Sequence, residues 1–101
     1  MPTRLSIAAT LQPADLAKFA RLRYVADSDP GFTRRRNGKG FVYLNIRGAP
    51  LRDPRKVQRI ESLVIPPAWR EVWICTISNG HLQATGRDAR KRKQYVYHER
   101  W

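Results

Sequence analysis

Two Asn-Gly pairs, Asn37-Gly38 and Asn79-Gly80, restrict the fold of this chain more than any other feature. Asn-Gly accepts the positive backbone angles of a tight turn, so each pair predicts a hairpin wherever β-forming segments flank it. Both pairs are flanked in that way. Phe32 to Arg36 enters the first turn and an aromatic-aliphatic run from Phe41 leaves it. Glu71 to Ile77 enters the second and His81 to Thr85 returns from it. Alternation in the run after the first turn puts Phe41, Tyr43 and Asn45 on one face and Val42, Leu44 and Ile46 on the other. A last alternating strand is expected from Lys93 to His98.

Two helices fit between these strands. Pro13 suits a first helical position, and Leu16, Phe19, Ala20 and the stem of Arg23 follow at helical spacing, which predicts a helix ending near Tyr24. Asp53-Pro54 combines a capping acid with a proline at the first turn. Val57, Ile60, Leu63 and Val64 then form an apolar stripe, with Arg55, Lys56 and Arg59 left to solvent or a partner, until Pro66 and Pro67 stop the helix. The first ten residues read as a loose arm. Two helices and about five short strands joined mostly by turns predict a small antiparallel α+β domain, one domain over residues 1–101.

Charge points to the partner. The formal net charge is +12, and 15 of the 20 basic residues are arginine. Solubility alone would be served equally by lysine, whereas a guanidinium fork grips phosphate or guanine at two points. An anionic polymer is therefore the expected ligand, nucleic acid ahead of membrane. The cations fall in two clusters, Arg34, Arg35, Arg36 and Lys39 around the first hairpin, and Arg87 through Lys91, Arg92 and Lys93 ahead of the last strand. That strand adds Gln94, Tyr95 and Tyr97, side chains able to reach base edges and stack on bases. Strict alternation places Lys93, Tyr95 and Tyr97 on one face and Gln94 and Val96 on the other, so Gln94 meets the same ligand only from a strand end, an edge or a bulge.

Catalytic equipment is sparse. Two histidines, one cysteine and scattered acids lack metal-ligand spacing, and Gly38-Lys39-Gly40 lacks the spacing and the following Ser or Thr of a phosphate loop. Asp27 and Asp29 read as turn residues rather than an acid-base pair. The single Cys75 excludes an internal disulfide and reads as a buried small hydrophobe in a reducing, cytoplasmic setting. Met1 to Ala9 has no sustained apolar core, so no secretory leader is read, and no segment approaches the length of a membrane span.

Longer motifs carry a resemblance. Leu22-Arg23-Tyr24-Val25-Ala26-Asp27-Ser28-Asp29-Pro30-Gly31, Thr33-Arg34-Arg35-Arg36, Ile65-Pro66-Pro67-Ala68-Trp69, His81 through Arg90, and Lys93-Gln94-Tyr95-Val96-Tyr97-His98 resemble the bacterial, poxvirus-like type IB DNA topoisomerases. The resemblance implies an amino-terminal DNA-binding domain that closes over duplex DNA as a clamp. It also implies a parent enzyme that relaxes supercoils without ATP or metal, through a transient 3′-phosphotyrosyl bond made by a carboxy-terminal domain beyond Trp101. On that basis Gln94, Tyr95 and Tyr97 enter the major groove and Arg92 contacts the backbone. Lys91 departs from the poxvirus motif, which has a small residue there. Roles for Arg34 to Arg36 and Lys39 rest on charge alone.

The expected partners are duplex DNA and the protein's own catalytic domain. The expected state is a cytoplasmic, nucleoid-associated monomer with no cofactor and no catalysis by this segment itself. Two other classes stay open at this point: a free-standing RNA- or ribosome-binding module, and an interaction domain whose main partner is its own catalytic half.

Overall fold

The computed structural model describes residues 12–101; the loose arm expected for the first ten residues lies outside them. Helix α1 spans Pro13–Phe19, followed by strands β1 (Phe32–Asn37) and β2 (Gly40–Leu44), helix α2 (Pro54–Ser62), and strands β3 (Arg70–Ile74), β4 (Leu82–Arg87) and β5 (Lys93–Tyr97). The five strands form one antiparallel sheet in the order β2-β1-β3-β4-β5. The expected α+β class, with two helices and five strands, is what the described residues adopt.

Register assigns the two faces. Phe32 opposes Ile74, Ile74 opposes Ala84, and Ala84 opposes Val96, giving one apolar row across four strands. Helix α2 covers this face. Ile60, 1% exposed, joins Phe32, Ile65, Val72, Ile74 and Ala84 in the core, with Trp69 and Leu63 packed at its margin. The other row, Leu44–Thr33–Trp73–Thr85–Tyr95, crosses all five strands and, among the described residues, has no helix over it. A stretch of loop crosses this open face instead. Trp73 Nε1 donates to the Asp29 carbonyl at 2.9 Å, and Gly31 lies so close to the indole that any Cβ would overlap it.

Both helices depart from their expected ends. Helix α1 stops at Phe19, five residues before Tyr24, because Arg21 takes φ +58° and closes a Schellman turn. Leu22 N donates to the Ala17 carbonyl at 2.7 Å and Arg21 N to that of Lys18 at 2.9 Å. Ala17 and Leu22 are consequently buried, while Leu16 and Phe19, the expected apolar face, are exposed. At the end of α2, Asp53 caps Arg55 N as expected, at 3.0 Å. Val64 instead turns out of the stripe at φ +52° and is 80% exposed, and Ile65 takes the buried place.

Arg59 also corrects the sequence-based expectation of a solvent-facing cation. Its guanidinium donates to the Ile77 carbonyl at 3.1 Å, to Gln83 Oε1 at 2.6 Å and to the Cys75 carbonyl, tying α2 to the β3–β4 turn. Burial pushes its pKa down from the free value, and the carbonyl and amide oxygens supply the partners a buried cation requires.

Candidate nucleic-acid interface

Among the described residues strand β5 is an edge strand, hydrogen-bonded to β4 alone. Alternation holds along it: Lys93, Tyr95 and Tyr97 are exposed, whereas Gln94 and Val96 face the covered side and are half-buried. The Tyr95 and Tyr97 rings stack at 5.8 Å between centroids with planes 10° apart. Close to half of each side chain remains in solvent. Lys93 Nζ lies 5.7 Å from the Tyr95 ring centre and pairs with Asp27 Oδ2 at 2.5 Å. That ammonium, assisted by the Thr85 hydroxyl at 3.1 Å, holds the Asp27 carboxyl below its usual range. Asp27 is thus a partner reached across the open face, more than the turn residue the sequence indicates.

The basic run before β5 is an ordered turn. Asp88 Oδ1 accepts from the backbone N–H groups of Arg90 and Arg92, both at 2.9 Å. Asp88 Oδ2 accepts from Arg92 Nε at 2.9 Å and Gln94 Nε2 at 3.0 Å. Together these donors, the Arg92 N–H first among them, draw the Asp88 carboxyl down to about 2. Lys91 takes φ +63° to complete the turn, and Arg87 pairs with Glu71 at 3.4 Å.

The first basic cluster divides between the two faces. Arg35 lies on the open side and Lys39 is exposed in the β1–β2 turn. Arg34 and Arg36 lie on the covered side. Arg34 donates to the carbonyls of Ile65 at 3.2 Å, Pro66 at 2.9 Å and Trp69 at 3.1 Å, with its guanidinium 4.0 Å above the Phe41 ring centre. Burial lowers its pKa. Arg36 reaches the Pro67 carbonyl at 3.4 Å and stands 4.9 Å from the same ring.

Antiparallel pairing nonetheless brings the two clusters to one end of the sheet. Arg36 opposes Phe41 near the first hairpin tip, Arg70 begins β3, and Arg70 opposes Arg87 at the second tip. Between the tips runs a groove of about 710 Å³ lined by Arg36, Phe41, Trp69, Arg70, Asp88 and Lys91 among others. Sequence reasoning missed Arg70, Trp69 and Asp88 as members of this end. Trp69 packs against Gly86, where a Cβ would meet its ring at 2.8 Å. That contact is long-range and has no local signature. Asp88 does have one, an acid opening a basic turn. Among the described residues no helix is long and apolar enough to cross a membrane.

Comparison with known proteins places the chain among relatives. Residues 40–88 match the family model described as "Bacterial DNA topoisomerase IB, N-terminal domain". Over 69 residues the chain is 38% identical to DNA topoisomerase 1B of Acanthamoeba polyphaga mimivirus, an alignment covering 68% of this chain and 20% of the viral protein. The chain therefore spans about a fifth of the length of the relative it matches. The matched family block contains β2 to β4 and reaches Asp88, the residue that orders the basic turn. The chain belongs to the bacterial type IB DNA topoisomerase family, as an amino-terminal domain.

Proposed function

We propose that this domain binds duplex DNA through the β4–β5 hairpin and acts as the clamp of a type IB topoisomerase, working as a monomer on nucleoid DNA. The observation that carries this reading is the continuity of an ordered cationic turn with an exposed, stacked tyrosine pair on an edge strand. The major groove of B-form DNA, about 12 Å wide, admits a two-stranded ribbon. An edge strand entering it offers both of its faces, so Gln94 on one side and Tyr95 and Tyr97 on the other can meet the same groove. Arg92, with most of its side chain in solvent, is suited to a phosphate, and Lys91 and Arg87 extend that grip. Arg35, Arg36 and Lys39 belong to the outer part of the footprint. Arg34 contributes by holding the frame.

Strand transfer through a 3′-phosphotyrosyl bond is assigned to a carboxy-terminal domain of the longer protein, with neither Tyr95 nor Tyr97 as nucleophile. Titration of the chain with duplex DNA and with duplex RNA of matched length, at several salt concentrations, tests the reading. Preference for DNA is expected, with affinity falling linearly on a log–log salt plot. A preference for RNA, or affinity indifferent to salt, overturns it in favour of an RNA-binding module.

A further inference from the structure

The two oxygens of Asp88 serve different groups. Oδ1 takes the Arg90 and Arg92 backbone N–H groups and so makes the turn. An asparagine carbonyl does that equally well. Oδ2 takes the side chains of Arg92 and Gln94, and this second duty needs an atom that accepts and never donates. Its cost is a negative charge, 17% exposed, in the turn that faces phosphates. A device needed only for folding the turn would not require that charge.

The geometry specifies what the second duty achieves. With Nε held by Asp88, the two terminal nitrogens of Arg92 keep their donors for a phosphate. A carboxylate accepts only, so the Gln94 amide must turn its NH₂ toward Asp88 and its Oε1 away. One N–H and Oε1 remain free, the donor-acceptor pair that a two-point contact with adenine requires. Holding them beforehand removes the rotamer freedom that binding would otherwise have to freeze.

We propose that Asp88 is a positioning residue for base recognition: it orients the Gln94 amide and the Arg92 guanidinium before DNA arrives, and thereby sets which bases the β4–β5 hairpin prefers. The proposal rests on the DNA-binding reading above and adds to it the source of selectivity.

The test is Asp88→Asn in the full chain, measured on a library of randomised duplexes, with Gln94→Ala beside it. Asparagine keeps the Oδ1 contacts of the turn but sets an NH₂ against Gln94 and Arg92. If charge were the only change, losing an anion near phosphates would tighten binding to every duplex and leave base preference intact. The expected result is instead a fall of about tenfold in discrimination at the position that Gln94→Ala also blurs. The double variant should lose no more than either single one.

An unchanged preference in Asp88→Asn, with an altered one in Gln94→Ala, overturns the role of Asp88 and leaves the DNA reading standing. No base preference in the unaltered chain, or none lost in either variant, removes the inference together with the role of Gln94. Binding of duplex DNA in the salt titration is then judged separately. Should Asp88→Asn fail to fold, the unaltered chain decides the matter by NMR. The Gln94 side-chain amide must show restricted rotation and slowed exchange that is lost as Asp88 protonates near pH 2. A freely rotating amide at neutral pH overturns the proposal.

Discussion

The β1–β2 and β4–β5 hairpins look alike in sequence, each a tight turn flanked by cations, yet their charges are engaged in opposite ways. In β1–β2 the main arginine, Arg34, is turned inward and donates to three carbonyls of the segment after α2. In β4–β5 the cations stay outside and are steadied by acids: Arg92 by Asp88, Lys93 by Asp27 and Arg87 by Glu71. A guanidinium on partly buried carbonyls cannot leave without stranding them. Arg92, held by its acid through Nε alone, keeps its terminal nitrogens in solvent and can take a phosphate without leaving that partner. Counting cations therefore overstates the first hairpin as a DNA grip and understates it as a strut.

The largest expected effect breaks the strut. Arg34→Ala should destabilise the fold by about 2–3 kcal/mol, since it removes charge-assisted bonds and leaves partly buried carbonyls unpaired. In a domain of this size that lowers the melting temperature by roughly 10 °C or more. Urea denaturation and thermal melts measure it. The salt slope of DNA binding should be unchanged wherever the variant remains folded. A reduced slope with undiminished stability would put Arg34 in the interface and erase the contrast between the hairpins.

Arg92→Ala should do the reverse. Loss of one phosphate contact lowers duplex affinity by roughly 1 kcal/mol and the salt slope by about 0.9. Stability should change by no more than about 0.5 kcal/mol, as is usual for an exposed site. Fluorescence anisotropy at three or four salt concentrations checks both numbers. A variant that binds with full slope would show that Arg92 serves the turn alone.

These outcomes also explain what was legible in the sequence. The first hairpin and the capped start of α2 were readable because Asn37-Gly38 and Asp53-Pro54 act within a few residues. Asn79-Gly80 does not make the expected tight turn, because β3 already ends at Ile74, β4 starts at Leu82 and Gly80 instead bridges to Arg23. The split of Gln94 from Tyr95 and Tyr97 followed from strand alternation alone. Helix ends were not readable, because Arg21 and Val64 adopt left-handed angles that ordinary side chains disfavour, and burial of Leu22 and Ile65 accompanies them. Nor were the inward turns of Arg34 and Arg59. Their carbonyl partners lie 16 to 35 residues away, and no local spacing marks an arginine that will cap a distant loop. Asp88 could have been found, since all its partners lie within six residues of it.

A subtler difference lies in pH dependence. The β4–β5 hairpin has a titratable anchor at each end. At its base, His81 is 5% exposed and stacks on Tyr24 at 4.3 Å, with Trp101 edge-on at 4.7 Å and Tyr97 at 6.4 Å. Its Nδ1 accepts from Val25 N at 3.0 Å. Burial lowers its pKa below 6.5, so the unfolded chain takes up a proton before the folded one does. Stability from this end is therefore intact above about pH 6.5 and declines as pH falls through that value toward the lower folded one. At the tip, Asp88 has the opposite charge type: its contribution is present above 3.8 and is lost as pH falls toward about 2. The Arg34 strut has no step in this range. Amide hydrogen exchange, corrected for intrinsic rates, should show protection in β4 and β5 declining from pH 7 to pH 5 before that of β1 and β2. His81→Phe should flatten the decline, and equal losses in both hairpins would contradict separate anchoring.

The smallest effect concerns Lys39, the cation at the β1–β2 tip that is held neither by carbonyls nor by an acid among the described residues. If the DNA footprint is centred on β5, the edge strand farthest from β2 in the sheet, Lys39 lies near its outer limit. At 0.15 M salt the Debye length is about 8 Å, so a cation not touching the backbone is largely screened. Lys39→Ala should then weaken binding less than about threefold at that salt and more at 0.01 M, where the length is about 30 Å. Lys91→Ala, across the groove from Arg36, should exceed it at both salts. An equal loss for the two variants at 0.15 M would mean that DNA touches both tips at once and lies across the basic end of the sheet. The hairpins would then be two jaws of one grip, with Arg34 holding the first jaw closed and Asp88 shaping the second.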